Sequence, residues 1–192
     1  ALAMLHLEDT RTNIGEDLLT DVAVLAIGHS ARDTFRLLNL SDIKMEPKPF
    51  AVGVRVEHPQ DMIDESQYGK NAPESLPAAA YKLTAKTKEG RGVYTFCMCP
   101  GGYVVNASSE ENRLAVNGMS YSGRNGKNAN SAVIVTVSPE DFPEKGILGG
   151  LAFQRQLEEA AFAEGQGKIP VQLFGDFKKN VPSSSAGAIA PQ

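Results

Sequence analysis

The chain has 192 residues, enough for one domain or for one domain with a piece of another. Hydrophobic residues make up 42% and charged residues 22%, an ordinary globular balance, and the net charge of −4 gives nucleic acid or an anionic membrane surface no footing. No apolar run approaches the roughly 20 residues that cross a bilayer, and the early acidic N-terminus does not read as a signal peptide, so a cytoplasmic setting is expected.

Residues 1–27 read as a hairpin or two strands, ending in Val22-Ala23-Val24-Leu25-Ala26-Ile27. This run does not alternate with polar residues, which predicts a strand covered on both faces. Gly28 permits a sharp turn, Ser30 can cap a helix with Asp33 three positions on, and Phe35, Leu37 and Leu38 give that helix an apolar stripe. Strand, glycine turn and helix are the unit of an α/β nucleotide-binding sheet. The rest of the chain holds too little of one.

Pro47 and Pro49 mark an extended linker and a domain boundary. Phe50, Val52, Val54 and Val56 alternate with Ala51, Gly53, Arg55 and Glu57, a half-buried strand, and a short helix follows His58-Pro59. From Ala80 to Val137 the pattern is all β. Strands are expected around Tyr81 to Ala85, over Val93–Cys99, Tyr103–Ala107, Leu114–Met119 and Ala132–Val137, with Pro100-Gly101-Gly102 as a tight turn. A polar loop, 120–130, joins the last two and carries Asn125-Gly126, a strong turn signal. Gly149 to Glu164 reads as an amphipathic helix stopped by Gly165, and Val171 to Phe174 as a short strand. The serine- and alanine-rich tail has little apolar content and reads as a linker.

The two cysteines, Cys97 and Cys99, exclude a disulfide scaffold by count. In a regular strand their thiols share one face about 6.5–7 Å apart, at or beyond the reach of an unstrained bridge. Free thiols in a reducing compartment are expected. A metal site needs about four ligands, and only His6, His29 and His58 are at hand to supplement the pair. The remaining readings of this hairpin are a pocket wall or buried small residues. Arg55 pairs with a carboxylate such as Glu57 or Asp64, or faces a pocket. Asn117, Ser120, Tyr121, Asn128 and Asn130 offer neutral hydrogen-bonding groups to a polar substrate or to the loop's own backbone.

Several blocks in order resemble a family of largely uncharacterised bacterial FAD-dependent dehydrogenases. They include Val24-Leu25-Ala26-Ile27-Gly28-His29-Ser30-Ala31-Arg32, Lys48-Pro49-Phe50-Ala51-Val52-Gly53-Val54-Arg55, Phe96-Cys97-Met98-Cys99-Pro100-Gly101-Gly102-Tyr103 and Asn117-Gly118-Met119-Ser120-Tyr121-Ser122. The resemblance implies a two-domain flavoprotein with a Rossmann-type FAD domain and an inserted, mostly antiparallel domain covering the flavin. The chain departs from that whole: it has no G-x-G-x-x-G and no early ribose-binding acid.

The expectation is therefore an α+β chain, mostly antiparallel sheet with a few helices. Residues 1–46 are a remnant of the FAD domain, 47–180 the inserted substrate domain, and 181–192 a linker. By resemblance Gly28, His29, Ser30 and Arg32 lie near FAD in the parent protein. Arg55, Cys97, Cys99, Gly101, Gly102, Tyr103, Asn117, Ser120 and Tyr121 are the expected wall of a substrate pocket. The expected partners are a small-molecule substrate and the FAD domain of the same polypeptide, with FAD held weakly or not at all by these residues alone. The competing expectation is a non-catalytic β-rich module that binds a ligand or a protein.

Overall fold

The computed structural model describes residues 3–187 and has the expected α+β architecture. It divides into two compact units, residues 1–38 and 39–192. In the first, β1 (Met4–Asp9) and β2 (Ile14–Leu19) form an antiparallel ribbon, with Met4 facing Leu19 and Asp9 facing Ile14. Helix α1 (Arg32–Leu40) follows, and its last turn crosses the boundary between the units.

Between them lies the first correction to the sequence reading. Val22–Ile27 has the composition of a buried strand but pairs with no strand among the described residues, and it is exposed, Val24 to 87%. A strand needs a neighbour to satisfy its backbone and a covering layer for its side chains. This run has neither within the described chain.

The second unit is built on a four-stranded antiparallel sheet in the order β3 (Phe50–Pro59), β8 (Asn128–Val137), β5 (Gly92–Cys99), β4 (Thr84–Lys86). The two long strands pair over their whole length, from Phe50 opposite Val137 to Pro59 opposite Asn128. Helix α2 (Gln60–Tyr68) continues directly from β3. A separate ribbon, β6 (Gly102–Asn106) and β7 (Val116–Ser120), pairs Gly102 with Ser120 and Val104 with Gly118.

After β8 a single 3-10 turn, Pro139–Asp141, leads to α3 (Gly149–Glu164), whose bounds match the sequence reading. Its Phe153 joins Phe50 and Phe142 in a cluster with ring centroids 5.2–6.3 Å apart. Phe142 is buried there with Val137. Gly165 does end α3, but in a right-handed conformation. Its value is space, because an added Cβ would overlap the carbonyl oxygen of Lys168.

Three local expectations shift. The strand expected near Tyr81 to Ala85 is found at Thr84–Lys86, with Leu83 outside it: its carbonyl accepts from the Thr95 amide at 2.9 Å, but its amide donates to the Thr95 hydroxyl, at 2.7 Å, instead of to a strand carbonyl. The strand expected from Leu114 starts at Val116, since the Leu114 amide donates instead to the Glu158 carbonyl of α3. The short strand expected at Val171 to Phe174 is absent; Phe174 opens α4 (Phe174–Lys179), with Asp176 in its first turn and Lys178 and Lys179 in its last, which suits the helix dipole. The linker expected at 181–192 lies outside the described residues beyond Gly187.

Candidate functional site

The candidate site forms where β5 loses its register. Phe96 pairs with Ala132, but the next pair is Cys99 with Asn130, so Cys97 and Met98 together stand opposite Ser131. Such a bulge adds one residue and re-aims the strand. Cys97 absorbs the kink with a φ of +45°. For a residue with a Cβ, that conformation costs about 1–2 kcal/mol. The bulge also ends the regular alternation on which a shared face and spacing for the two thiols rested. Both thiols are free, Cys97 exposed and Cys99 half-buried.

The Cys97 carbonyl accepts a 2.7 Å hydrogen bond from Arg55 Nη2, which also lies 3.7 Å from Cys99 Sγ. Arg55 projects from β3 and is half-buried. Its Nε donates to Asn130 Oδ1 at 2.9 Å. Asn130 is fully buried, and its Nδ2 has no hydrogen-bond partner among the described residues. Gly118 of β7 closes over this pair; a Cβ there would overlap both Asn130 Oδ1 and Arg55 Nη2.

The two carboxylates offered by the sequence as partners for Arg55 are engaged elsewhere. Glu57 Oε2 accepts from the Val104 amide at 3.3 Å and Oε1 from Asn128 Nδ2 at 2.5 Å. Asp64 Oδ1 accepts from Gln60 Nε2 and the Ala79 amide, both at 2.7 Å. Among the described residues the guanidinium is thus held only by neutral groups: an amide oxygen, a carbonyl and a thiol.

Alternation along β3 and β8 puts His58 and Ser131 on the face opposite Arg55. There the Tyr81 hydroxyl meets His58 Nε2 at 2.8 Å, with the rings 5.6 Å apart. Burial pushes the Tyr81 phenol above its usual range, against the opposing pull of a hydrogen bond with Ser131 and the positive charge of Arg55. An open cleft of about 240 Å³ is lined here by Tyr81, Lys82, Thr95, Phe96, Cys97 and Met98. Cys97 borders both features, lining the cleft and receiving Arg55 on its carbonyl.

The structure therefore brings Arg55, Cys97 and Cys99 together, gathers Gly101, Gly102 and Ser120 at the next turn, and sets Tyr103, Asn117 and Tyr121 apart. Gly101 and Gly102 are buried in the next turn, where the Gly101 amide donates to Gln60 Oε1 at 2.8 Å. Ser120 Oγ donates to the Pro100 carbonyl at 2.7 Å, which ties β7 to that turn. Tyr103 is half-buried on the other face of the β6–β7 ribbon. Asn117 is exposed, its Oδ1 accepting from the Gly118 amide, and Tyr121 is 71% exposed.

His58, Tyr81 and Ser131 were not among the expected site residues, Asn130 was expected only as a neutral hydrogen-bonding group of the polar loop, and Glu57 only as a partner for Arg55. A legible signal did exist for Asn130 and Ser131, since polar residues inside a central strand must be hydrogen-bonded there. None existed for Tyr81, which reaches His58 across 23 positions of chain.

Gly28, His29 and Ser30 are exposed, with Gly28 at a φ of +74° and nothing within 4 Å of an added Cβ. Arg32 is only 5% exposed. The turn is thus open at its glycine, and neither cleft described here is lined by these four residues. The second cleft, about 450 Å³, lies along α2 between Asp61, Asp64, Glu65 and Lys70. Among the described residues no cluster of three or more His, Cys, Asp or Glu could hold a metal ion, and no helix is long and apolar enough to cross a membrane.

The chain is 52% identical over 181 residues to an uncharacterised protein of Clostridium beijerinckii, an alignment covering 92% of this chain and 34% of that relative. The chain thus spans about a third of the relative's length. Residues 49–192 match the family described as FAD-dependent protein, C-terminal domain-like, and the chain belongs to that family.

Proposed function

We propose that these residues form the substrate-side portion of an FAD-dependent oxidoreductase, with FAD gripped mainly by the remainder of the parent polypeptide. In this reading residues 1–46 belong to the FAD domain, 47–180 form the substrate domain, and 181–192 lead back. The Arg55–Cys97–Cys99 cluster faces the substrate. Flavin supplies the electron chemistry when bound, and this chain's residues orient the substrate and set the pocket's polarity.

The observation that carries the reading is the exposed run Val22–Ile27, followed by an open glycine turn. Six consecutive apolar residues with no covering layer are an unfinished sheet. The family match and the greater length of the relative support the reading that further chain, of an FAD-dependent kind, completes it.

The test is purification of the full-length parent and its visible spectrum. Stoichiometric bound flavin, with no tight FAD binding by residues 1–192 alone in a titration, is the expected pair of results. A colourless parent that cannot be reconstituted with FAD overturns the reading and favours a non-catalytic binding module.

A further inference from the structure

The Arg55 cluster consists of donors in search of an acceptor. Arg55 is half-buried, yet its partners are the Asn130 amide oxygen, the Cys97 carbonyl and the Cys99 thiol, none of them an anion. Beside it, Asn130 is fully buried with Nδ2 unpartnered among the described residues. Two neighbouring donor groups therefore lack what each calls for, a negative charge and a hydrogen-bond acceptor. A guanidinium taken part-way out of water without a counter-charge is unfavourable unless something else supplies that charge.

The site is built to hold the guanidinium in place. Gly118 removes the Cβ that would occupy its position, and the bulge turns the Cys97 carbonyl to meet Nη2. Nε is taken by Asn130 and Nη2 by the Cys97 carbonyl, with the Cys99 thiol only a weak 3.7 Å contact, so among the described residues Nη1 and the weakly engaged side of Nη2 form the edge left for a ligand.

We infer that Arg55 is the docking point for a carboxylate on the small molecule that this domain receives. A planar guanidinium matches a planar carboxylate through two parallel hydrogen bonds, which fixes orientation as well as charge. Asn130 acts as a positioning residue, holding Nε and so the tilt of the fork. This assignment rests on the reading of the cluster as substrate-facing, but its test needs no flavin. Its failure would leave the FAD-dependent reading standing, and loss of that reading would leave anion binding measurable.

The test uses residues 1–192 and amide-resolved NMR titration at constant ionic strength, with benzoate as probe and benzamide as its neutral counterpart. Benzoate is expected to give saturable shifts centred on Arg55, Cys97, Cys99 and Gly118, and benzamide to give none there. Arg55→Gln should weaken benzoate binding at least tenfold. Because removing Arg55 could unsettle the fold, Asn130→Asp is the second variant: it places a carboxylate beside Nε in the same volume, satisfies the arginine internally, and should also weaken benzoate at least tenfold while the chain stays folded. Equal responses to benzoate and benzamide, or a dissociation constant in Asn130→Asp within twofold of the unaltered chain, would overturn the inference. Shifts that scale linearly with benzoate and never saturate would overturn it as well.

Discussion

Arg55 and Asn130 are diagonal neighbours on adjacent antiparallel strands, and a 2.9 Å bond from Nε to Oδ1 joins them beneath Gly118. The directly opposed residues are Arg55 with Ala132 and Glu57 with Asn130. The small Ala132 leaves the guanidinium free to lean along the strand toward the amide. Glu57 is drawn the other way by the Val104 backbone and the Asn128 side chain. The register of two strands thus decides that the arginine meets an amide rather than the acid two residues away.

Gly118→Ala should destabilise the domain by about 1–3 kcal/mol, because the new methyl overlaps both members of the pair and over-packing of this kind has that cost. Urea unfolding followed by circular dichroism measures it. A change below half a kilocalorie per mole would show that Arg55 moves aside freely and that its place is not fixed by β7.

Phe142→Ala should lower stability by about 3–5 kcal/mol, the usual loss for a buried aromatic ring. Phe142 is buried against Phe50 and Phe153, and its removal leaves a hole between β3 and the start of α3. The same denaturation experiment reads it, and a loss near zero would mean that the cluster is not a core.

Asp141 accepts paired hydrogen bonds from Arg91, at 2.5 and 2.7 Å, and a 2.8 Å bond from the Ser138 amide. Arg91 first, then the Ser138 backbone, hold its carboxyl well below the usual range. A depressed carboxylate contributes stability that is present above the ordinary carboxylate pKa and is lost as pH falls toward the folded-state value. The melting temperature should therefore drop on acidification, and Asp141→Asn should flatten that acid limb while lowering stability at neutral pH. Parallel acid limbs for the two proteins would remove Asp141 from the account.

Tyr81 should be the late phenol among the five tyrosines. Burial raises it, so it stays neutral into alkaline solution and its ionisation favours unfolding as pH rises through that value. An ultraviolet phenolate titration of the folded chain should lose its highest-pH component in Tyr81→Phe. If the highest component survives, another tyrosine carries it.

Val24→Glu separates the chain alone from the parent protein. In residues 1–192 the side chain is exposed, so the change should stay within about half a kcal/mol. In the full-length parent, under the proposed function, it buries a charge in the completed sheet, and flavin content per mole should fall severalfold. Unchanged flavin content would show that this run is not part of the FAD domain's sheet.

The sequence by itself determined what depends on local periodicity. The two-residue alternation of β3 and the helical spacing of α3 gave the type and place of those elements, because strand and helix periods are carried in each segment's own pattern, although burial does not follow it throughout: Val54 is 54% and Leu157 41% exposed. The motif blocks likewise carried the family, since their order along the chain is itself information. Tertiary structure alone decided the rest. Val22–Ile27 has a strand's composition, but pairing needs a neighbour, and no local pattern states whether one is present. The cysteine spacing implied a shared face, and only the register against β8 revealed the bulge that breaks it. Arg55 had Glu57 and Asp64 among the acids close to it in sequence and met neither, because its partner is chosen by geometry 75 positions further along the chain. Long-range hydrogen bonds are settled by which strands lie side by side, and that is a property of the folded whole.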